Sequence, residues 1–122
     1  MIKGIHHVSM KCRPEQLEKV RDFYCRMLGL PVCAEWETGF LLDTPAGKVE
    51  FFTNAQEDLP KGTIRHFAFE VDDVDAYIRL CKENNLEIFM GPKDVVLGDI
   101  KARVAFTYGP LGEEVEFFEV KG

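Results

Sequence analysis

No stretch of this chain approaches the roughly 20 consecutive apolar residues that a membrane-crossing helix needs. Nor does a charged segment followed by an apolar one open it, since Met1 leads straight into a strand-like run. A cytoplasmic location without membrane contact is therefore expected. Paired cysteines are missing too. Cys12, Cys25, Cys33 and Cys81 include no CxxC spacing and sit in apolar contexts, which reads as reduced structural thiols. Positive charge is scarce: 15 Lys and Arg stand against 21 Asp and Glu, leaving a net charge of −6. With no basic stripe, nucleic acid is not an expected partner. At 122 residues the chain suits one domain and is too short for two independent ones.

What the chain does have is an internal repeat. Four strand-like stretches, Ile5-His6-His7-Val8, Lys48-Val49-Glu50-Phe51-Phe52, Ile64-Arg65-His66-Phe67 and Glu114-Val115-Glu116-Phe117-Phe118, form two pairs of the same order, histidine first and glutamate later. His7 and His66 lie 59 positions apart and Glu50 and Glu116 lie 66 apart, so the second half reads as a copy of the first with a few residues inserted. Modules 1–58 and 59–122 are expected to form a single domain. Two imidazoles and two carboxylates brought together by such a duplication suit a divalent ion, because neutral His nitrogen and Glu oxygen are ligands for Zn, Ni, Co, Mn or Fe.

Each half reads as β-α-β-β-β. Residues 4–12 alternate as a strand, with His7, Ser9 and Lys11 on one face and His6, Val8, Met10 and Cys12 on the other, which leaves His6 structural. After Pro14, a first-turn residue, Leu17, Val20, Phe23, Tyr24, Met27 and Leu28 recur at helical spacing until Gly29. Residues 32–36, 40–43 and 48–53 read as strands, and 54–62 as a polar connector. In the second half, 63–71 is a strand, Asp72 and Asp73 offer an N-cap, and a helical stripe runs from Val74 to Leu86. Residues 87–90, 101–108 and 113–120 are strands, with 91–100 less regular. Because a helix buries its stripe on one sheet face, Val8, Phe51, Phe67 and Phe117 face the helices. His7, Glu50, His66 and Glu116 then share the opposite, concave face, where Phe52, Phe118, Trp36 and Met90 are candidates for a pocket wall. Glu70 shares the face of His66.

Taken together, these features resemble the vicinal oxygen chelate superfamily (glyoxalase, bleomycin resistance and dioxygenase proteins) over nearly the whole chain. The resemblance implies an α+β fold of two βαβββ modules in a curved mixed sheet, with a concave metal cavity and helices outside. It implies His7, Glu50, His66 and Glu116 as metal ligands, taken from the first and last strands of each module.

The His, Glu, His, Glu order is similar to glyoxalase I, the lactoylglutathione lyase, which implies conversion of a 2-oxoaldehyde thiol hemithioacetal through an enediolate. One Ni, Co, Zn or Mn ion per site would be the cofactor, Glu116 and Glu50 the proton-moving carboxylates, and glutathione or another thiol the cosubstrate, touched by Lys11 and Asn54. Lys11 departs from the family's usual arginine, and Gly109-Pro110-Leu111-Gly112 replaces its usual Asp-Pro-Asp-Gly. The other readings are an epimerase of a small acyl thioester and a non-catalytic protein that binds a small molecule or antibiotic. Sites with two histidines and one carboxylate, used for thiol transfer to epoxide antibiotics or for ring cleavage, do not match the carboxylate at Glu50. A homodimer acting on a small-molecule substrate is expected.

Overall fold

Each half of the chain builds its own four-stranded sheet in the computed structural model, which describes residues 1–122. The chain divides into the units Met1–Pro60 and Lys61–Gly122, two residues beyond the boundary read from the repeat. In the first unit β1 (His7–Lys11), β2 (Val32–Trp36), β3 (Gly39–Thr44) and β4 (Gly47–Phe52) lie in the order β1-β4-β3-β2. Strands β5 (His66–Glu70), β6 (Ile88–Leu97), β7 (Ile100–Tyr108) and β8 (Glu114–Lys121) of the second unit lie in the order β5-β8-β7-β6. The first strand of each unit runs parallel to the last, and the other pairings are antiparallel. The α+β, βαβββ reading therefore holds, expressed as two mixed sheets, one per unit. No helix is long and apolar enough to cross a membrane.

The helical stripe of the first unit winds unevenly. A 3-10 turn at Pro14–Gln16 leads into α1 (Leu17–Arg21) and then a π-helical turn at Asp22–Met27. Gly29, at φ +76°, ends it, and Leu30 donates its N–H back to the Tyr24 carbonyl at 3.0 Å. The widened last turn still brings Val20, Phe23 and Tyr24 into the core, where the Tyr24 ring lies 4.9 Å from that of Phe51. In the second unit α2 (Val74–Glu83) is capped by Asp73, whose side chain accepts from the Ala76 N–H at 3.3 Å, and is followed by the cap Asn84 and by Asn85 at φ 58°. Val74, Ile78 and Cys81 are buried, and Tyr77 stacks on Phe117 at 5.1 Å, the counterpart of the more tilted Tyr24–Phe51 contact in the first unit. Burial pushes the Cys81 thiol up to about 11, against a smaller opposite effect of its hydrogen bond with Thr107. None of the four cysteines is in a disulfide, but Cys33 stands exposed on edge strand β2 rather than in an apolar setting.

Residues 91–97 are not irregular, as the sequence suggested; they continue β6. Gly91 and Pro92 read as a breaker, yet Gly91 at φ +94° lies so close to β7 that a Cβ there would stand 2.5 Å from the Val104 carbonyl. The register shifts between Met90 and Lys93, and an edge strand tolerates a proline at such a bulge. Gly98, at φ +61°, and Asp99 then close a two-residue hairpin between the paired Leu97 and Ile100.

Phe117 is fully buried and carries the Tyr77 stack, so Phe117→Ala removes an aromatic side chain from the centre of the second unit. The expected loss is about 3–5 kcal/mol, read as a lower urea midpoint; a midpoint equal to wild type would contradict this core assignment.

Candidate functional site

A parallel pair fixes which side chains meet. In the first unit Ser9 is the register partner of Glu50, and in the second Ala68 is the partner of Glu116. In both cases the histidine stands two residues earlier on the same strand, so the pleat gives it the same face as the carboxylate. The side chains do meet: His7 Nε2 lies 3.6 Å from Glu50 Oε1, and His66 Nε2 lies 3.0 Å from Glu116 Oε1. The alternating neighbours Val49, Phe51, Val115 and Phe117 are buried on the helix side.

The pairs differ in enclosure. Side chains of His7 and Glu50 are 38% and 17% exposed, those of His66 and Glu116 are 28% and 11%. Around Glu116 the sheet face is apolar. Phe106 is its antiparallel partner and meets the His66 ring edge-on at 5.0 Å. Ala102, Val104 and Phe106 are buried there, with Phe89, Val95 and Phe118 packed against them. His66 Nδ1 is buried with no hydrogen-bond partner, so the ring has capacity that the fold leaves unused.

His6 corrects the sequence reading. It precedes β1, so strand parity does not govern it, and its exposed ring turns edge-on to His7 with the two Nδ1 atoms 2.9 Å apart. One of these nitrogens must donate and the other accept. If His7 donates, its Nε2 carries the free lone pair, and His6 orients it as outer partners orient metal-ligating imidazoles. Two adjacent histidines are the only trace of this in the sequence.

The other sequence candidates scatter in kind. Lys11 ends β1 and Asn54 follows β4, so both lie at the same end of that strand pair, and both are exposed. Glu70, at the end of β5, is exposed as well. Trp36 packs on Phe52 with ring centroids 5.7 Å apart, and Met90 is exposed on β6.

Donor spacing tests the fit to a metal. Two ligands each about 2.1 Å from one ion and at adjacent positions are roughly 3.0–3.4 Å apart. The 3.0 Å separation of His66 and Glu116 falls within that spacing and the 3.6 Å separation of His7 and Glu50 lies just beyond it, so the second unit's pair suits two neighbouring coordination positions as it stands and the first unit's after a shift of a few tenths of an ångström. Neither unit by itself groups three or more His, Cys, Asp or Glu side chains for an ion.

The Glyoxalase/Bleomycin resistance protein/Dioxygenase superfamily model matches residues 4–117. Among solved structures, a glyoxalase/dioxygenase from Nostoc punctiforme is 20% identical with a TM-score of 0.81, covering 98% of this chain and 92% of that one. The glyoxalase family protein from Enterococcus faecalis is 23% identical at a TM-score of 0.73, covering 97% and 98%. TnmS3, an antibiotic-binding protein from Streptomyces sp. CB03234, is 20% identical at 0.78, covering 98% of each chain. At these identities the likeness is one of fold. A search of curated proteins finds no match.

A buried carboxylate kept only for stability should be costly to remove; one kept for chemistry should not. In metal-free protein the double variant His66→Leu/Glu116→Leu is therefore expected to be neutral or stabilising by up to about 1–4 kcal/mol, measured by urea unfolding. A loss above about 3 kcal/mol would make the His66–Glu116 pair a structural ion pair.

Proposed function

Because the chain belongs to the Glyoxalase/Bleomycin resistance protein/Dioxygenase superfamily, we propose that it is a divalent-metal-dependent lyase or isomerase of the glyoxalase I type, acting on the hemithioacetal of a 2-oxoaldehyde and a thiol. The observation that carries this reading is the recurrence of one His–Glu pair, in the same strand register, in both units. His7, Glu50, His66 and Glu116 would together hold one Ni, Co, Zn or Mn ion. Such an ion supplies Lewis-acid polarisation of two neighbouring substrate oxygens.

The chain's own share is proton transfer and positioning. Glu116 is the more enclosed carboxylate and stands beside Phe106 on an apolar face, so its free oxygen is screened from bulk water. It takes the proton from the carbon next to the carbonyl and returns it to the adjacent carbon. Glu50, the second carboxylate, shares that work from the first unit. Lys11 and Asn54 receive the polar groups of glutathione or another thiol, Lys11 as a point charge rather than a fork. A cytoplasmic homodimer completes the proposal.

The second reading, a protein that binds a small molecule without turnover, draws on the likeness to antibiotic-binding TnmS3. An epimerase of a small acyl thioester would use the same proton transfer.

Elemental analysis separates these readings: purified protein should carry close to one divalent ion per site, and His66→Ala should lose most of it. Failure to load Ni, Co, Zn or Mn removes both enzyme readings. Glu116→Gln keeps size and an oxygen donor while deleting the basic site, so kcat should fall on the order of 10²-fold or more with most metal retained. Thioester formation from methylglyoxal and glutathione, then other thiols, is the assay, and wild-type turnover by Glu116→Gln would refute the base assignment. Sedimentation should give twice the 13.9 kDa chain mass.

A further inference from the structure

One row of residues crosses the whole first sheet. Lys11 on β1 is the register partner of Phe52 on β4, Phe52 of Gly39 on β3, and Gly39 of Trp36 on β2. Phe52 lies two residues beyond Glu50 and Lys11 four beyond His7, so the row shares the face of the His7–Glu50 pair and adjoins it.

The row is built rather than incidental. Gly39 is where the indole lies down: a Cβ there would stand 2.8 Å from Trp36 Cζ2, 2.9 Å from its Cε2 and 2.5 Å from the Phe51 carbonyl. Trp36 and Phe52 meet at an interplanar angle of 64°, so the two rings form a corner. The indole remains 37% exposed and Phe52 half-buried, so the corner is open. Lys11 closes its other end. Four cations of this unit are taken: Arg13 pairs with Asp58 and Glu15, Arg21 with Glu35, Arg26 with Asp22 and Lys48 with Asp43, whereas Lys3 and Lys19 lie outside this row. Lys11 makes no such pair, though Glu50 and Phe52 leave it on the same face.

We infer that this row is a subsite for a planar aromatic ring carrying a carboxylate, the ring against Trp36 and Phe52 and the anion at Lys11. A π-face offers a ring offset-stacked or edge-on contact, and a lysine with no protein partner offers a charge-assisted hydrogen bond. A saturated ring would lose the first and a neutral amide the second. As the substrate-holding part of a reaction the row rests on the metal reading above. As a binding subsite it depends on the first unit alone.

Trp36 is the only tryptophan, so its emission reports on the row directly. In metal-stripped protein, 4-methylbenzoate should change that emission saturably, and bind about tenfold or more tightly than cyclohexanecarboxylate or 4-methylbenzamide. Lys11→Met should weaken 4-methylbenzoate by about tenfold and leave 4-methylbenzamide unchanged. Gly39→Ala should displace the indole and abolish binding; should that variant fail to fold, calorimetry on Trp36→Leu makes the same test. Equal affinity for the three probes, no binding of any, or indifference to Lys11→Met overturns the subsite. Because no metal is involved, those outcomes leave the metal reading standing, and a chain that never loads metal leaves the subsite standing.

Discussion

The register of the two parallel strand pairs is the constraint on which the rest of the molecule depends. Residue Ser9 beside Glu50 and Ala68 beside Glu116 decide, through the pleat, that a histidine and a carboxylate face each other in each unit. A slip of one residue would turn both carboxylates into the helix-side core, where a charge is costly. The helices oppose that slip, because Tyr24 on Phe51 and Tyr77 on Phe117 engage the residue next to each glutamate. Packing on one face thus holds the chemistry on the other.

Much of this was legible from the chain itself, because a duplicated pattern shows each strand twice. Strand β2 spans Val32–Trp36 as read, and alternation alone puts His7 with Glu50 and His66 with Glu116 on shared faces. What escaped was conformation that side-chain pattern does not encode. A stripe of apolar residues is served equally by α and π winding, so the turn at Asp22–Met27 left no mark. Gly91-Pro92 carries a strong local signal for a break, and pairing with Val104 through a bulge overrode it. The row from Lys11 to Trp36 needed the strand order, which no single strand reveals.

The units also show where a duplicated module can change. Val32 and Ile88 occupy equivalent positions 56 apart, whereas Leu42 and Thr107 are 65 apart, so the β6–β7 hairpin is nine residues longer than its counterpart. His7 with His66 and Glu50 with Glu116 keep the same mutual register despite this. Growth at a hairpin tip moves neither member of the parallel pair. Its cost is exposure: Val96, Leu97 and Ile100 at the tip are 67%, 56% and 50% exposed.

The tetrapeptide Val-Glu-Phe-Phe occurs twice, in β4 and in β8, and each copy is the docking partner of a histidine strand. A chain collapsing from the denatured state therefore meets two equally suitable seats for β1 and two for β5, and sequence within the tetrapeptide cannot tell them apart. The choice falls to the flanks. Lys48, before the first copy, is held by Asp43 on the neighbouring β3, while Glu119, after the second, accepts the Val74 N–H at the start of α2. These two local ties mark each copy as belonging to its own unit, one through a neighbouring strand and the other through a helix start.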